Sequence, residues 1–294
     1  MNRRRPSHRD SIHVEDALIL SHQAFSGDQY ILRLHAPQCA REARPGSFAH
    51  LDCGPEPFLR RPLSIMRADR EEGWVEFLYK AVGFGTRALA NRAVGERISL
   101  MGPIGIPFRL DPNCSRPLLI GGGVGIPPMV FVAHDIHHRR LDKQPLVIMG
   151  SEVPFPFRVQ ASRHDVPGIG VSGAMPLMEE WSIASRLTSL QGYSGAYRGY
   201  VTDLARQWLD TLDNDAREQV QILGCGPRPM LQAVTALARE YQRPCQISLE
   251  EFMACAVGGC AGCTVEIETP QGSAMKRVCV DGPIFDAYQV FHAV

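Results

Sequence analysis

The first third of the chain alternates short apolar stretches with turn-forming residues. Gly, Pro and Asp separate the stretches, the clearest of which are 30–34, 47–51, 74–79 and 97–100. Alternation at this spacing is typical of antiparallel strands in a barrel or a sandwich. One helix is predicted at 86–92, because alanine and leucine dominate there and Gly95 follows its end.

The pattern changes after Asp111. An apolar run at 117–120 leads into a glycine turn, a helical stretch at 128–138 and a second apolar run at 145–149. Strand, turn, helix and strand in this order form a βαβ unit, which implies a parallel sheet.

The same order returns at 220–241, where a strand, a turn and a helix follow one another. The stretch 161–200 has no pattern that assigns it to an element. The C-terminal segment, 246–294, is short and rich in glycine. We expect it to depend on a bound metal centre for its fold.

Composition narrows the class of protein. The chain has 294 residues, 45% of them hydrophobic, which is enough for two domains without disulfide bonds. Its 31 basic residues balance 31 acidic ones, so nothing in the net charge favours nucleic acid or an anionic membrane. No apolar run reaches the ~20 residues of a membrane helix, and no signal peptide is recognised. The cytoplasm is therefore the expected location.

Four of the nine cysteines follow the spacing C-x4-C-x2-C, then fifteen residues and a last cysteine. They are Cys255, Cys260, Cys263 and Cys279. This spacing suits a [2Fe-2S] cluster, and the glycines between the first three permit the sharp turns that aim thiolates inward. Structural zinc is the alternative, although zinc sites usually have two separate C-x2-C pairs. Unligated or disulfide-bonded cysteines are the third possibility.

The glycine turn after residue 120 is a candidate nucleotide site. Its glycines are Gly121, Gly122, Gly123 and Gly125. They would let the backbone approach a pyrophosphate at the start of the following helix. Ile126 stands where the usual fingerprint has a third glycine, so a plain strand-to-helix turn is the alternative.

Two further positions extend this candidate site. Glu152 follows the second strand, where an acidic residue would bind a ribose hydroxyl of NAD, while Arg158 and Arg163 leave NADP open. Cys225 and Gly226 follow a later strand, at the edge where parallel sheets bind ligands. A buried structural thiol is the other interpretation of Cys225.

The sequence Arg60-Arg-Pro-Leu-Ser64 is a candidate flavin contact, because arginine can bind a diphosphate through two hydrogen bonds. A solvated strand end is the alternative. The spacing of the chain's other polar residues suggests no catalytic triad and no pair of acid and base carboxylates.

Together these segments resemble the ferredoxin-reductase-like electron-transfer subunits of dihydroorotate dehydrogenase, over nearly the whole chain. The cysteine-rich tail carries the most specific likeness, and the basic N-terminus and residues 175–191 fit the family pattern poorly. Positions that correspond to the family's flavin contacts are Arg61, Pro62, Leu63, Ser64, Leu78, Tyr79, Lys80, Gly85 and Thr86.

The resemblance implies an α+β multidomain protein. A flexible basic tail at 1–11 would precede an FAD-binding antiparallel β-barrel at 12–112. An NAD-binding α/β domain with a parallel sheet would follow at 113–245, and a small [2Fe-2S] domain at 246–294. The glycine turn and Cys225 with Gly226 would hold NAD, and the four tail cysteines the cluster.

The implied function is electron transfer. Electrons would pass between NAD(H), FAD and the cluster, to or from an FMN-binding dihydroorotate dehydrogenase catalytic subunit of pyrimidine biosynthesis, in a heterotetramer. Such a chain needs no catalytic acid or base of its own. The alternatives are a reductase subunit that serves ferredoxin or a sulfur acceptor, and a non-enzymatic nucleotide-binding module with structural zinc.

Overall fold

The computed structural model describes residues 11–54 and 59–292, so most of the predicted basic tail lies outside the described residues. The chain forms two units. One consists of Met1–Pro107 with Leu249–Ile284, and the other of Phe108–Ser248 with Phe285–Val294. The cysteine-rich segment therefore belongs to the same unit as the N-terminal strands. The predicted domain boundaries stay predictions.

The N-terminal strands close into an antiparallel barrel with the order β1-β2-β5-β4-β3-β6 in the described part of the chain. This confirms the predicted barrel. Its elements are β1 (His13–Phe25), β2 (Gln29–His35), α1 (Pro37–Glu42), β3 (Phe48–Leu51), β4 (Arg61–Asp69), β5 (Trp74–Lys80), α2 (Phe84–Ala90) and β6 (Arg97–Ile104).

The barrel combines an apolar interior with one carboxylate that is buried on its outer face. Leu32, Leu34 and Phe77 are fully buried. Glu76 is also buried and forms ion pairs with Arg33 at 2.9 Å and Arg67 at 2.6 Å. Two cations around one carboxylate offset the cost of its burial.

The second unit contains a parallel sheet, as predicted. Its elements up to the cysteine-rich segment are β7 (Arg116–Gly122), α3 (Ile126–His138), β8 (Leu146–Gly150), β9 (Gln160–Ala161), β10 (Gly173–Ala174), α4 (Pro176–Glu180), β11 (Ala184–Thr188), α5 (Val201–Thr211), α6 (Asn214–Glu218), β12 (Val220–Cys225), α7 (Arg228–Glu240) and β13 (Cys245–Ser248). A 3-10 turn at Gly123–Gly125 joins β7 to α3.

The C-terminal segment adds a hairpin and short elements. They are β14 (Thr264–Thr269), β15 (Gly272–Arg277), α8 (Val278–Asp281), β16 (Ile284–Asp286) and α9 (Ala287–Val290). One main-chain hydrogen bond joins this segment to the residues after β6, and a second joins the two ends of the segment. The Ile106 N–H donates to the Gly282 carbonyl at 2.6 Å, and the Leu249 N–H donates to the Pro283 carbonyl at 2.9 Å.

The strand order of the sheet is β11-β8-β7-β12-β13-β16 among the described residues. Pairs from β11 to β13 are parallel, so their carboxyl ends share one edge. In the register, Gly122 lies beside Gly150 and Gly121 beside Cys225. The glycine turn, the residues after β8 and the turn after β12 therefore all leave the sheet at that edge.

Candidate cofactor-binding sites

The four tail cysteines form two pairs. The Sγ atoms of Cys263 and Cys279 lie 3.3 Å apart, and both residues are buried. The Cys260 N–H donates to Cys255 Sγ at 3.4 Å, and these two thiols are less buried. The charge of Cys255 also acts on Cys279, so the two pairs are neighbours.

Hydrogen bonds around the hairpin hold these pairs in register. The Val278 N–H donates to the Cys263 carbonyl at 2.9 Å, which places Cys279 beside Cys263. The Arg277 guanidinium donates to the Gly258 carbonyl inside the cysteine loop at 2.9 Å, and the Arg277 N–H donates to the Asp281 carboxylate at 2.8 Å. Arg277 thus links the loop to the segment that carries the fourth cysteine.

The environments of the thiols differ. Burial acts to raise the pKa of Cys255, but hydrogen bonds from the N–H groups of Cys260, Val257 and Gly259 and from the Cys260 thiol outweigh it and lower the pKa to about 6. Burial, followed by the hydrogen bond and charge of Cys263, raises the pKa of Cys279 to about 12. The Cys279 thiol therefore needs a metal to lose its proton near neutral pH.

This arrangement fits a two-iron cluster. Each iron of a [2Fe-2S] centre takes two protein thiolates, and the loop together with Cys279 offers two pairs. In the part of the chain that the structure describes, the tail cysteines included, no three His, Cys, Asp or Glu side chains gather in the way that holds a single metal ion.

The candidate flavin residues lie on two strands of the barrel, β4 and β5, and on helix α2. Arg61, at the start of β4, donates to the Leu59 carbonyl at 2.6 Å. A Cβ on Gly85 would lie 2.6 Å from Arg61 Nε, so the glycine makes room for the guanidinium against α2. The four residues from Arg61 to Ser64 are partly exposed, which leaves that end of β4 open to a ligand.

Thr86 and Tyr79 are held by the protein itself. The Gly83 N–H donates to Thr86 Oγ1 at 3.1 Å, which shapes the start of α2. The Tyr79 ring is buried, and its hydroxyl is 2.8 Å from His22 Nε2. The phenol side chain is therefore part of the barrel core, which leaves the main chain of 78–80 as the part of this segment suited to a flavin.

The glycine turn after β7 packs closely on the end of β12. A Cβ on Gly125 would collide with the Cys225 carbonyl and the Gly226 N–H. Gly123 has a φ of +56°, a conformation that favours glycine. Gly125 therefore lets the glycine turn pack closely on the end of β12, which is the role of the third glycine in the usual fingerprint. For this reason Ile126 is tolerated where that third glycine would stand.

Glu152 is exposed just beyond β8, and its carbonyl accepts from the Tyr193 hydroxyl at 3.3 Å. Arg163 instead pairs with the buried Glu179, to whose carbonyl it donates at 2.7 Å. Arg158 is exposed. Of the two arginines that could select NADP over NAD, Arg163 is therefore already paired with Glu179.

A cavity of about 930 Å³ lies at the opposite edge of the sheet, where β7 and β11 begin with Arg116 and Ala184. Its Lys143 donates to three main-chain carbonyls, and its Arg163 is paired with Glu179. This cavity is separate from the glycine turn and contributes nothing to the candidate nucleotide site.

Comparison with known proteins decides the family. Residues 250–291 match the family described as the iron-sulfur cluster binding domain of dihydroorotate dehydrogenase B. Over 279 residues, the chain is 31% identical to the electron transfer subunit of dihydroorotate dehydrogenase B (NAD(+)) from Desulforamulus reducens, covering 94% of this chain and 98% of that protein. The chain belongs to the family of dihydroorotate dehydrogenase B electron-transfer subunits. The subunit of the same name from Shouchella clausii is 34% identical over 276 residues, covering 92% and 96%.

Solved structures agree with this family. An NADH-dependent reduced ferredoxin-NADP oxidoreductase superposes with a TM-score of 0.74 at 26% identity, covering 94% of this chain and 90% of that one. The ferredoxin reductase of carbazole 1,9a-dioxygenase, at 22% identity and a TM-score of 0.57, covers 79% and 65% and shares the fold. As a dihydroorotate dehydrogenase B electron-transfer subunit, the protein is part of an oxidoreductase that uses FAD, NAD and an iron–sulfur cluster, which confirms the expected cofactors.

Arg277 shapes the cysteine site and was not predicted. Its guanidinium donates to the Gly258 carbonyl across 19 positions of sequence, and no local pattern marks it. Gly125 was among the predicted glycines, and a glycine directly before Ile126 can replace the missing third glycine. The structure has no helix, among its described residues, with the length and apolar character to cross a membrane.

Proposed function

We propose that this chain passes electrons between NAD(H) and an FMN-containing dihydroorotate dehydrogenase catalytic subunit. The observation that carries the proposal is the pairing of four thiols in the unit that also contains the barrel. A centre that carries single electrons would then lie in the same unit as the flavin-binding strand.

Cys255, Cys260, Cys263 and Cys279 are the proposed cluster ligands. The N–H groups that lower the pKa of Cys255 would also stabilise charge on a bound sulfur, because hydrogen bonds to sulfur tune such centres. Arg277 holds the ligand loop from outside through the Gly258 carbonyl.

The flavin is assigned to the open end of β4 and to the neighbouring segments. Arg61 would bind the diphosphate, since its planar guanidinium can donate two parallel hydrogen bonds. Pro62 to Ser64 and the main chain of Leu78 to Lys80 would line the ring, and the turn at Gly85 and Thr86 would close the site. Support comes from the partial exposure of these β4 residues and from the space that Gly85 leaves for Arg61.

NAD is assigned to the carboxyl edge of the parallel sheet. Gly121 to Gly125 would bind the pyrophosphate through main-chain N–H groups, and Glu152 would accept from a ribose hydroxyl. Cys225 and Gly226 would border the nicotinamide. The shared edge of β7, β8 and β12 supports this assignment.

When bound, a flavin can accept a hydride and release electrons singly, and an iron–sulfur cluster carries one electron at a time. The protein's own residues bind, orient and shield these groups. None is required as an acid or a base, so the catalytic residues are expected on the partner.

The proposed assembly is a heterotetramer of two such chains and two FMN-binding catalytic subunits, in the cytoplasm. The relatives from Desulforamulus reducens and Shouchella clausii are named as electron transfer subunits, which supports a catalytic partner. Cys39, Cys53, Cys114 and Cys245 are buried thiols rather than disulfides, which supports a reducing compartment.

Coexpression with the FMN-binding dihydroorotate dehydrogenase of the same genome tests the proposal. The purified complex should reduce NAD⁺ when dihydroorotate is added. The same complex with Cys279→Ser should lose this activity while NADH still bleaches its flavin. Failure of the two wild-type proteins to copurify, or coupled turnover in the variant, would count against it.

The second candidate is a reductase subunit that serves ferredoxin. The superposition with the NADH-dependent reduced ferredoxin-NADP oxidoreductase favours it. Reduction of ferredoxin by NADPH in a complex that does not respond to dihydroorotate would support this second function over the first.

A further inference from the structure

His22, on β1, forms hydrogen bonds at both of its ring nitrogens. Its Nε2 lies 2.8 Å from the hydroxyl of Tyr79 on β5, and its Nδ1 lies 2.9 Å from the carbonyl of Arg92, just beyond the end of α2. These partners are 57 and 70 positions away in sequence. One side chain therefore joins a barrel strand to the helix that follows it.

The chemistry of the two partners fixes the direction of each hydrogen bond. A carbonyl oxygen accepts and cannot donate, so His22 Nδ1 carries a hydrogen and donates to the Arg92 carbonyl. In the neutral ring, Nε2 then has a free lone pair and accepts from the Tyr79 hydroxyl. The imidazole thus uses its one donor and its one acceptor to hold two different segments of the chain.

Tyr79 is held by stacked rings as well as by this hydrogen bond. Its ring stacks on Tyr30 with the centroids 5.4 Å apart, and His22 stacks on it at 6.0 Å. Tyr79 is 1% exposed, and within the described part of the chain the partner of its hydroxyl is His22. Phenylalanine would fill the same space without burying a hydroxyl that needs a partner. Packing therefore explains the ring of Tyr79, and the link to His22 explains its hydroxyl.

The end of α2 is anchored to the barrel at the same point. The Arg92 side chain donates to the Arg97 carbonyl at 2.7 Å and pairs with Glu96 at 2.8 Å, while the Arg92 carbonyl accepts from His22. Leu89, near the end of α2, is fully buried. Because α2 has seven residues, which is about two turns, an anchor at its end also restrains its first turn.

The two segments that His22 joins are assigned to different parts of the flavin. The main chain of 78–80 would line the ring. Gly85, in the first turn of α2, packs against the Arg61 guanidinium, since a Cβ on Gly85 would lie 2.6 Å from Arg61 Nε. The position of α2 therefore determines where the proposed diphosphate contact can lie.

We propose that His22 is a positioning residue for FAD. By joining β5 to α2, it fixes the spacing between the strand that lines the flavin ring and the arginine that binds the diphosphate. This proposal rests on the flavin assignment given above. A cofactor that must meet two contacts at once binds more tightly when their separation is set in advance, because less ordering is left to the binding step. His22 acts through Tyr79 and Arg92 and is not assigned a flavin contact of its own.

The test uses the purified holoprotein and four single variants. His22→Leu removes both hydrogen bonds. Tyr79→Phe removes one of them and keeps the ring, so it tests the link even where His22→Leu does not fold. His22→Gln is the conservative variant, since its amide keeps a donor and an acceptor. Leu34→Ala is the control, because Leu34 is fully buried in the barrel and is paired with Val75, four positions before Tyr79.

The first measurement is the dissociation constant of FAD, obtained by diluting the holoprotein and following the fluorescence of released flavin. We expect FAD to bind about tenfold more weakly to His22→Leu and about threefold more weakly to Tyr79→Phe, with most of the affinity recovered in His22→Gln. Leu34→Ala should lower the melting temperature by at least as much as His22→Leu, because it leaves a cavity, and should bind FAD within about twofold of the wild type.

The second measurement combines His22→Leu with Arg61→Ala. If His22 acts by placing Arg61, its loss has little effect once the guanidinium is gone, so the double variant should bind FAD within about twofold of Arg61→Ala alone. General loosening of the barrel would instead weaken FAD binding equally in both backgrounds. That result would overturn the proposal, as would wild-type affinity in Tyr79→Phe and His22→Leu or an equal loss of affinity in Leu34→Ala.

Failure of the flavin assignment itself gives a different result, namely wild-type FAD affinity in Arg61→Ala. Hydrogen exchange in peptides that span 83–92 then still tests the link from His22 to α2. Exchange in these peptides should rise about tenfold in His22→Leu and stay at the wild-type rate in Leu34→Ala. Wild-type exchange in His22→Leu would show that His22 does not hold the helix.

Discussion

The Sγ atoms of Cys263 and Cys279 lie 3.3 Å apart although sixteen positions separate them in sequence. The β14–β15 hairpin spans this separation, with Thr264 paired to Arg277 at its base. A hairpin returns the chain to its starting point, so the fourth thiol reaches the loop that carries the other three. The position of Cys279 therefore depends on the base of the hairpin.

Arg277 should be important for cluster stability. Arg277→Ala removes the hydrogen bond to the Gly258 carbonyl, so we expect faster loss of the visible absorbance when oxygen is admitted. Arg277→Lys should lose its absorbance at a rate between those of the wild type and Arg277→Ala, because lysine keeps the charge but not the planar group. Lys276→Ala is the matched control. Equal half-lives of the cluster in all four proteins would contradict the role given to Arg277.

The flavin assignment predicts that two variants bind FAD less tightly than the wild type. Arg61→Ala removes the proposed diphosphate contact, and Gly85→Ala would push a methyl group into the Arg61 guanidinium. Both should be purified with less FAD than the wild type and should bind added FAD about tenfold or more weakly. Gly95→Ala is a suitable control, since nothing lies within 4 Å of its position, although its φ of +90° adds local strain. Full occupancy in Arg61→Ala would contradict the assignment.

Glu76 should be critical for the barrel itself. Its buried carboxylate pairs with Arg33 and Arg67, so Glu76→Gln leaves two cations with a weaker partner. We expect the free energy of unfolding to fall by about 2–4 kcal/mol, against little change for the exposed Glu72→Gln. Urea unfolding followed through tryptophan fluorescence measures this. A fall in the free energy of unfolding of less than about 0.5 kcal/mol would contradict this prediction.

The pKa of His50 predicts a pH dependence. Because the pKa falls from 6.5 in the unfolded chain to about 4 in the folded one, the unfolded state binds the proton first as the pH drops. The stabilising contribution is complete above pH 6.5 and is lost as the pH falls from 6.5 toward 4, by up to roughly 3 kcal/mol. His50→Leu should lose less stability than the wild type between pH 7 and 4.5. Parallel losses in the two proteins would show that His50 does not titrate in this way.

The sequence predicted those elements whose pattern is set locally. The strands of the barrel and the β7–α3–β8 unit were recognised because apolar periodicity and turn residues agree there. The strand β11 was not recognised, because three of its five residues, Ser185, Arg186 and Thr188, are polar and buried. The Arg186 guanidinium donates to the Ser185 and His164 carbonyls, and only the folded chain brings His164 to Arg186.

One missed element did carry a signal. The buried residues of α5, Val201, Leu204, Ala205, Trp208 and Leu209, follow the spacing of an amphipathic helix. For the candidate site, cysteine spacing predicts the cluster ligands. Arg277 instead acts through a hydrogen bond to the Gly258 carbonyl, 19 positions away, which leaves no trace in a local pattern.

The central claim is that the tail cysteines hold a [2Fe-2S] cluster, and metal analysis combined with electron paramagnetic resonance tests it most directly. The anaerobically purified protein should contain about two irons and two labile sulfides per chain and give an S = 1/2 signal after one-electron reduction. Cys279→Ser should lose that signal. Stoichiometric zinc in place of iron, or an iron-free protein after reconstitution, would contradict the account.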